Sequence, residues 1–269
     1  MFFPGKTMIK RVQAFLLALA FMCVPIWGCG ESAPEKIYKV GTDATLVPMS
    51  FINDEKQLDG FEVALMRAVA KRAGFEIEFV NVEWAGIIGG VVTRKFDMAI
   101  SSVTILEDRK KNVAFTIPYL RSGLAIVVPR DLEGVASIDD LKARKMKVGA
   151  QRGTTSYFYL EKIPELTPVA YEQYGHAVAD MIKGEIDAVI GESTGTLYYK
   201  NNDNAIFEKI KMAGEILTEE YYGIILGRDN PQLKTQLDDA IRSLIKDGTV
   251  TQLHAKWELG KAAAVPEVS

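Results

Sequence analysis

Cysteine and histidine are almost absent from this sequence, and their scarcity excludes several kinds of site. The chain has two cysteines, Cys23 and Cys29, and two histidines, His176 and His254. Both cysteines precede residue 30, so the fold that follows has no pair for an internal disulfide. The histidines are far apart and neither has a cysteine nearby. We therefore expect no metal ion, no cofactor and no histidine-based catalytic dyad.

A strong charge of one sign is also lacking. The formal net charge is −3, and charged residues make up 25% of the sequence. This balance gives no reason to expect a nucleic acid or an anionic membrane surface as a partner. Hydrophobic residues make up 48% of the 269 positions, so disorder is not expected. A chain of this length can bury one large core or two moderate ones.

Long apolar runs are confined to the N-terminus. Val12–Ile26 is almost entirely apolar and follows three basic residues, Lys6, Lys10 and Arg11. A run of about fifteen residues is too short for a membrane span and has the length of the apolar core of a secretory signal. We predict that residues 1–28 are a signal peptide, with Met8 as an alternative start. Its removal takes the formal net charge from −3 to −6.

The end of this leader predicts a lipid anchor. The order Ile26-Trp27-Gly28-Cys29 resembles a bacterial lipobox, in which the cysteine is acylated and becomes the mature N-terminus. Trp27 stands where a small residue is usual, so ordinary cleavage between residues 28 and 32 is the alternative. Residues 29–36 form a polar tether, and no second long apolar segment follows. The sequence therefore predicts a periplasmic or cell-surface protein that is held at a membrane without crossing it.

Beyond residue 36, strand and helix patterns alternate, which is typical of α/β layering with largely parallel sheets. In Phe61–Ala73, for example, apolar residues recur at three-to-four spacing, and Gly74 is placed to end the helix. Residues 50–60 have the composition of a hairpin-like turn. Strands are predicted at 37–42, 76–80, 98–100, 124–129, 147–150, 188–190 and 222–226, and helices at 61–73, 85–93, 137–143, 153–160, 175–183, 194–201, 231–246 and 250–257.

This pattern divides the chain into two lobes. A second α/β series begins near Leu124, and we expect the chain to cross between the lobes at Leu124–Val128 and again at Tyr221–Ile225. Because the chain crosses twice, the final helices belong with the first lobe. The predicted domains are residues 37–126 with 222–258 for the first lobe, 127–221 for the second, and a tail at 259–269.

The most informative stretch for function is Asp97–Tyr119. A short apolar strand, Met98–Ile100, ends in a cluster of hydroxyl residues, and Arg109 follows shortly after. The hydroxyl residues are Ser101, Ser102 and Thr104. A guanidinium can hold a carboxylate through two parallel hydrogen bonds, while hydroxyl and carbonyl oxygens can receive an ammonium. The sequence therefore predicts a protein that binds free amino acids.

The chain from Lys39 to Trp257 resembles a known family, the periplasmic polar-amino-acid-binding proteins of ABC importers (bacterial solute-binding proteins, family 3). The matching segments, in order, are Val40–Asp43, Gly60–Val63, Trp84, Phe96–Arg109, Val148–Thr155, Gly184–Glu192, Asp247-Gly248 and Lys256-Trp257. The resemblance implies a type-II fold, with two α/β lobes and a ligand cleft between them. It also implies a receptor, not an enzyme, that delivers a free amino acid to an ABC permease. We expect the receptor to be monomeric.

The resemblance further implies which residues grip the two charged ends of the ligand. Arg109 would clamp the α-carboxylate, and Ser102 and Thr104 would contact the carboxylate and the ammonium. Glu192 stands where the family places an acidic residue against the α-ammonium. Thr154 and Thr155 open a helix, whose first N–H groups favour an anion.

Three more residues are implied at the side-chain end of the ligand. Trp84 would form an apolar wall, and Asp43 and Gln151 sit where relatives face the ligand's side chain. Asp43 permits a cationic group and Gln151 permits an amide or a hydroxyl. Leu46 replaces a residue that is often aromatic, which leaves a wider pocket. These features favour a polar or basic amino acid.

Each of these residues also has a purely structural alternative. Arg109 lies in a charged run and could be a surface residue, while Trp84 could belong to the core. Glu192 could be an acid at a helix start, and the threonines that follow Gly153 could be a helix cap. Asp43 and Gln151 could hold loops at a sheet edge.

Two other functions share the predicted scaffold. Secreted prephenate or arogenate dehydratases have this fold, and Glu192 could then act as a general acid if desolvation raised its pKa. The sequence shows no further acid–base partner for such an enzyme. A third function is presentation of the ligand to a membrane sensor, because the chain has no signalling segment of its own.

Overall fold

The computed structural model describes residues 36–195 and 208–267. The predicted signal peptide and almost all of the tether lie outside these ranges, as does most of the helix predicted at 194–201. The strands are β1 (Ile37–Thr42), β2 (Thr45–Leu46), β3 (Ser50–Ile52), β4 (Leu58–Asp59), β5 (Glu76–Asn81), β6 (Met98–Ala99), β7 (Ala114–Phe115), β8 (Leu120–Ser122), β9 (Leu124–Pro129), β10 (Val148–Gln151), β11 (Pro168–Tyr171), β12 (Ala188–Glu192), β13 (Ile210–Ala213), β14 (Glu220–Tyr222) and β15 (Ile225–Leu226).

The α-helices in these ranges lie close to the predicted ones, except for the short helix at Glu107–Lys110, which was not predicted. They are α1 (Phe61–Ala73), α2 (Ile87–Val92), α3 (Glu107–Lys110), α4 (Ile138–Ala143), α5 (Thr155–Glu161), α6 (Tyr174–Lys183), α7 (Pro231–Lys246) and α8 (Thr249–Lys256), with short 3₁₀ turns at Trp84–Gly86 and Gly260–Ala262. None of the helices in the part of the chain described is long and apolar enough to span a bilayer.

The first lobe is built on a five-stranded sheet with the order β5-β1-β6-β15-β7. Helix α1 packs one apolar face onto the core beside this sheet, and that face includes Phe61, Leu65 and Val69. The helix ends at Gly74, which adopts a left-handed φ of 77° and so forms the predicted C-cap.

The last two helices pack into the same buried cluster as α1. Helix α7 begins with the side chain of Asn230 accepting a hydrogen bond from the Leu233 backbone N–H at 3.1 Å, and Pro231 occupies its first turn. Its apolar face joins the same buried cluster as α1. The predicted tail is also packed: Leu259 and Ala263 are buried there, and Ala264 pairs with Arg121.

The second lobe is built on another five-stranded sheet, with the order β11-β10-β12-β9-β13. Strand β9 is buried from Leu124 to Val128 and enters this sheet at Leu124, which pairs with Glu192. The predicted lobe boundary at residues 126–127 falls inside this strand. Strand β11 was not predicted, because its sequence, Pro-Val-Ala-Tyr, shows no alternation of polar and apolar residues. In the structure all four residues are half-buried.

The sheets are less parallel than predicted. In each lobe three strands are parallel neighbours, β5-β1-β6 and β11-β10-β12, while the other two, β15 and β7 or β9 and β13, pair antiparallel. The antiparallel strands flank the crossing between the lobes. That crossing is itself a two-stranded antiparallel sheet, β8 with β14, in which Ser122 is paired with Glu220.

Candidate ligand-binding site

All nine residues predicted to contact a ligand line one cavity between the lobes. The first lobe contributes Asp43, Trp84, Ser102, Thr104 and Arg109, and the second contributes Gln151, Thr154, Thr155 and Glu192. Six further residues that were not among these nine share the wall: Thr45, Leu46, Ser101, Ser156, Tyr174 and Gly191. The strand ends of both sheets therefore supply one polar cleft.

Arg109 is buried, unlike its charged neighbours along α3. The side chain is 7% exposed, and its guanidinium stands 5.3 Å from the centre of the Trp84 ring. One terminal nitrogen donates to the Thr104 carbonyl at 3.0 Å, and the other donates across the cleft to the Gly153 carbonyl at 3.3 Å. A guanidinium has five N–H groups, so it can also hold a carboxylate. Burial lowers the pKa of Arg109, and the carboxylates of Glu192 and Glu220 oppose that shift.

Ser102 is held in place by a buried carboxylate that the sequence analysis missed. Its backbone N–H donates to Glu62 Oε1 at 2.6 Å and its hydroxyl donates to the same atom at 3.2 Å. Ser102 has a φ of 49°, an uncommon conformation for a residue with a side chain. Glu62 also accepts from Tyr119, and its burial raises its pKa. An acidic residue within the apolar face of α1 was the available sequence signal.

A second missed carboxylate, Glu220, connects the two lobes. Its Oε2 atom accepts a hydrogen bond from the Thr104 hydroxyl at 2.7 Å and another from the Thr155 hydroxyl at 3.0 Å. Thr218 donates to its Oε1 atom at 3.2 Å. Glu220 is 7% exposed and lies on β14, the returning strand of the crossing. Since Thr104 and Thr155 come from different lobes, this carboxylate receives a hydrogen bond from each.

Glu192 ends strand β12 at the opposite wall of the cleft from Arg109. Its Oε2 atom accepts from the Tyr222 hydroxyl, and its Oε1 atom lies 3.3 Å from the Thr155 hydroxyl, farther than the Glu220 oxygen at 3.0 Å. Burial and the nearby Glu220 charge raise the pKa of Glu192 to about 8, against the effects of its hydrogen bonds and of Arg109. A carboxyl group in this setting favours a positive partner, because a buried negative charge is costly without one.

Three of the predicted residues also hold the surrounding backbone. Asp43 accepts hydrogen bonds from the Trp84 backbone N–H at 2.8 Å and from the Thr45 hydroxyl at 2.7 Å, and burial raises its pKa. Gln151 donates to the Glu172 carbonyl at 2.9 Å. The Thr154 side chain caps α5. These contacts match the structural alternatives for the three residues, which nevertheless line the cavity.

The floor of the cleft depends on a glycine. A Cβ atom at Gly191 would lie 2.2 Å from the Tyr174 ring, and both residues line the cavity. We expect Gly191→Ala to displace that ring, to cost about 1–3 kcal/mol of stability as overpacking does, and to weaken ligand binding. Thermal melting and calorimetry measure the two effects. Gly89→Ala is the control, because a Cβ there meets no atom within 4 Å; equal effects of both substitutions would contradict this account.

The part of the chain that the structure describes has no cluster of three or more side chains suited to a metal ion. His254 contacts the Ala263 carbonyl at 3.1 Å, in the packed C-terminal segment. The side chains that line the cleft thus include one guanidinium, two carboxylates, several hydroxyl groups and an indole ring. This set suits recognition of a small molecule that bears charges of both signs.

Two α/β lobes, joined by two crossing strands and separated by a cleft with opposite charges on its walls, define a type-II solute-binding protein. The chain belongs to the bacterial extracellular solute-binding proteins, family 3, whose profile matches residues 38–261. The predicted family and the predicted two-lobed fold are thereby confirmed.

Individual relatives agree with this assignment. The L-cystine-binding protein TcyJ of Escherichia coli K12 is 31% identical over 220 residues, which cover 81% of each chain. The ABC transporter arginine-binding protein 1 of the same strain is 30% identical over 235 residues, 85% of this chain and 93% of the relative. A solved ancestral arginine-binding protein bound to arginine matches with a TM-score of 0.77 and 32% identity, over 82% of this chain and 97% of that one.

The predicted receptor function is confirmed at the level of the class. The chain is a solute-binding receptor of a family that works outside the cytoplasm. The two Escherichia coli relatives are named as binding proteins, so a receptor explains the likeness better than the dehydratase alternative does.

Proposed function

We propose that this protein binds a free L-amino acid with a basic or polar side chain and delivers it to an ABC permease. One observation carries the proposal: Arg109 from the first lobe and Glu192 from the second line the same cleft. A buried guanidinium on one wall and a half-buried carboxyl group on the other match the carboxylate and the ammonium of a zwitterion. Each of the two groups would thereby gain a partner of opposite charge.

The ligand's α-carboxylate would lie against the guanidinium of Arg109, and its α-ammonium against Glu192. The guanidinium is already oriented by the Thr104 and Gly153 carbonyls and by the Trp84 ring, so little side-chain entropy is lost on binding. Because the partners come from different lobes, the ligand would favour the closed arrangement of the two lobes over an open one.

The side-chain end of the cleft supports a basic or polar ligand. Asp43 and Gln151 face it with a carboxylate and an amide, and Leu46 adds an apolar contact. The relatives named for arginine agree with a basic side chain, whereas the relative named for L-cystine agrees with a polar one.

Calorimetry of the mature protein against the twenty common amino acids tests the proposal. We expect at least one basic or polar amino acid to bind with a dissociation constant near the micromolar range, which corresponds to a binding free energy of about −8 kcal/mol. If only apolar amino acids bind, the proposed specificity is overturned. Failure of all twenty to bind would overturn the proposed function.

The raised pKa of Glu192 is the one observation that favours the dehydratase alternative, since a general acid needs a proton near neutral pH. The site supports binding better, because Arg109 and Glu192 complement a zwitterion without any reaction. Incubation with prephenate and arogenate distinguishes the two functions: formation of phenylpyruvate or phenylalanine would establish the enzyme.

We further propose that the mature protein is a monomer attached to a membrane by a lipid on Cys29. The proposal rests on the sequence alone, on the apolar run and the order that ends in Cys29. Mass spectrometry of the mature N-terminus would show the acyl chains, and Cys29→Ser should release the protein from the membrane fraction. An unmodified N-terminus between residues 28 and 32 would favour ordinary cleavage.

A further inference from the structure

Glu220 was not among the nine residues predicted to contact a ligand, yet it accepts hydrogen bonds from two of them. The Thr104 hydroxyl donates to Glu220 Oε2 at 2.7 Å, and the Thr155 hydroxyl lies 3.0 Å from the same atom. Thr155 also lies 3.3 Å from Glu192 Oε1. Each threonine hydroxyl has one proton and two lone pairs. Both hydroxyls therefore spend their proton on a carboxylate.

This geometry decides how the two hydroxyls face the cleft. Thr104 and Thr155 both line the cavity, and with their protons directed at carboxylates they offer it only lone pairs. A surface of lone pairs accepts hydrogen bonds from an ammonium and repels the oxygens of a carboxylate. A hydroxyl free to rotate would serve either group equally well.

We propose that Glu220 is a positioning residue that orients the Thr104 and Thr155 hydroxyls as acceptors. As a result, the end of the cleft beside Glu192 selects a charged amine. The inference rests on the proposed function and deepens it. It predicts that the ligand can lie in only one direction, with its amine toward Glu192 and its carboxylate toward Arg109. The first lobe repeats the arrangement, since Glu62 accepts from the Ser102 hydroxyl at 3.2 Å.

Other charged groups near this end agree with the proposal. Glu192 and Glu220 are both negative neighbours of Arg109, and the Tyr222 hydroxyl donates to Glu192. Thr218 accepts from the Leu124 backbone N–H at 3.0 Å and donates to Glu220 at 3.2 Å. The Glu220 carboxylate is thus held from behind, and its Oε2 atom is directed at the two hydroxyls.

The test compares two probes that differ only at the amine. L-arginine, or the amino acid that binds most tightly in the calorimetric panel, is measured beside its α-hydroxy acid, in which a hydroxyl replaces the ammonium. The quantity of interest is the dissociation constant of the hydroxy acid divided by that of the amino acid, a ratio that measures the preference for the amine.

Glu220→Met removes the acceptor at nearly the same side-chain length, and we expect this ratio to fall at least about tenfold. Glu220→Gln keeps a carbonyl that can still accept, so it should preserve the ratio within about threefold.

The neighbouring residue supplies the matched control. Glu219 directly precedes β14, is exposed, and accepts hydrogen bonds from Arg121 and Tyr221, so Glu219→Met should leave the ratio unchanged. An unchanged ratio in Glu220→Met would overturn the proposal. If both probes bind more weakly by the same factor, the role of Glu220 is merely structural. If that variant does not fold, Glu220→Asp withdraws the carboxylate from both hydroxyls; it should lower the ratio, and an unchanged ratio again overturns the proposal.

The outcomes separate this inference from the function on which it rests. Failure of the wild-type protein to bind any amino acid contradicts the proposed function, and the inference falls with it. Wild-type binding with an unchanged ratio in Glu220→Met, or in Glu220→Asp if the methionine variant does not fold, contradicts the role of Glu220 alone.

Discussion

Replacing Arg109 with methionine is expected to weaken amino-acid binding at least about 100-fold, the largest effect in this protein. The reason is that the guanidinium is buried, oriented by two carbonyls, and faces the position proposed for the ligand's carboxylate. Truncating one partner of a buried, hydrogen-bonded charge pair costs about 2–5 kcal/mol. Isothermal titration with the amino acid that binds the wild-type protein most tightly measures the loss.

Two further variants sharpen this prediction. Arg109→Lys keeps the charge but loses the planar pair of donors, so its affinity should fall between those of the wild type and Arg109→Met. Lys110→Met is the matched control, because Lys110 pairs with Glu107 on the surface of the same helix. Thermal melting without ligand confirms that each variant folds. If the dissociation constant of Arg109→Met lies within about threefold of that of the control, Arg109 is not the clamp for the ligand's carboxylate.

Glu192→Gln is expected to have the second largest effect, again about 100-fold in affinity, because it removes the charge proposed to meet the ammonium. The pH dependence adds a second measurement. With a pKa of about 8 in the folded protein, above the ordinary 4.5, Glu192 holds a proton over much of the neutral range. A ligand's ammonium must displace that proton, so wild-type affinity should rise with pH up to about 8, by at most about tenfold per pH unit.

The same shift bears on stability with a definite sign. A carboxyl whose pKa is raised by folding binds its proton more tightly in the folded state, so the free energy of unfolding should fall as pH rises from 4.5 to about 8. In Glu192→Gln both pH dependences should largely disappear. Glu161→Gln, at the exposed end of α5, is the control. A pH dependence equal in the wild type and Glu192→Gln would exclude Glu192 as its source.

Much of the architecture could be predicted because its signals are local. Helices α1 and α7 occupy the predicted residues, since apolar spacing and cap residues such as Gly74 and Asn230 act within a few positions of the chain. The strands around the crossing were harder. Strand β14 and strand β15 were predicted as one strand at 222–226, but the chain leaves the crossing after Tyr222 and enters the first sheet at Ile225.

The site could be predicted only in part, for the same reason. Ser102, Thr104 and Arg109 lie close together in the sequence, after a strand, and the family resemblance supplied the rest of the nine. Glu62 had one sequence signal, its place within the apolar face of α1, whereas Glu220 had none. Glu220 follows another glutamate and has the local appearance of a surface acid, yet it reaches Thr104 across 116 positions of the chain.

The sequence by itself determined the alternating elements, the family and the nine residues predicted to contact a ligand. Only the tertiary structure decided which carboxylates stand behind the hydroxyls, the observation from which we propose the end of the cleft that accepts an amine. A hydroxyl's role depends on where its single proton points, and that is set by acceptors brought from distant strands. Sequence spacing does not encode that direction, whereas the packing of two lobes around the crossing strands does.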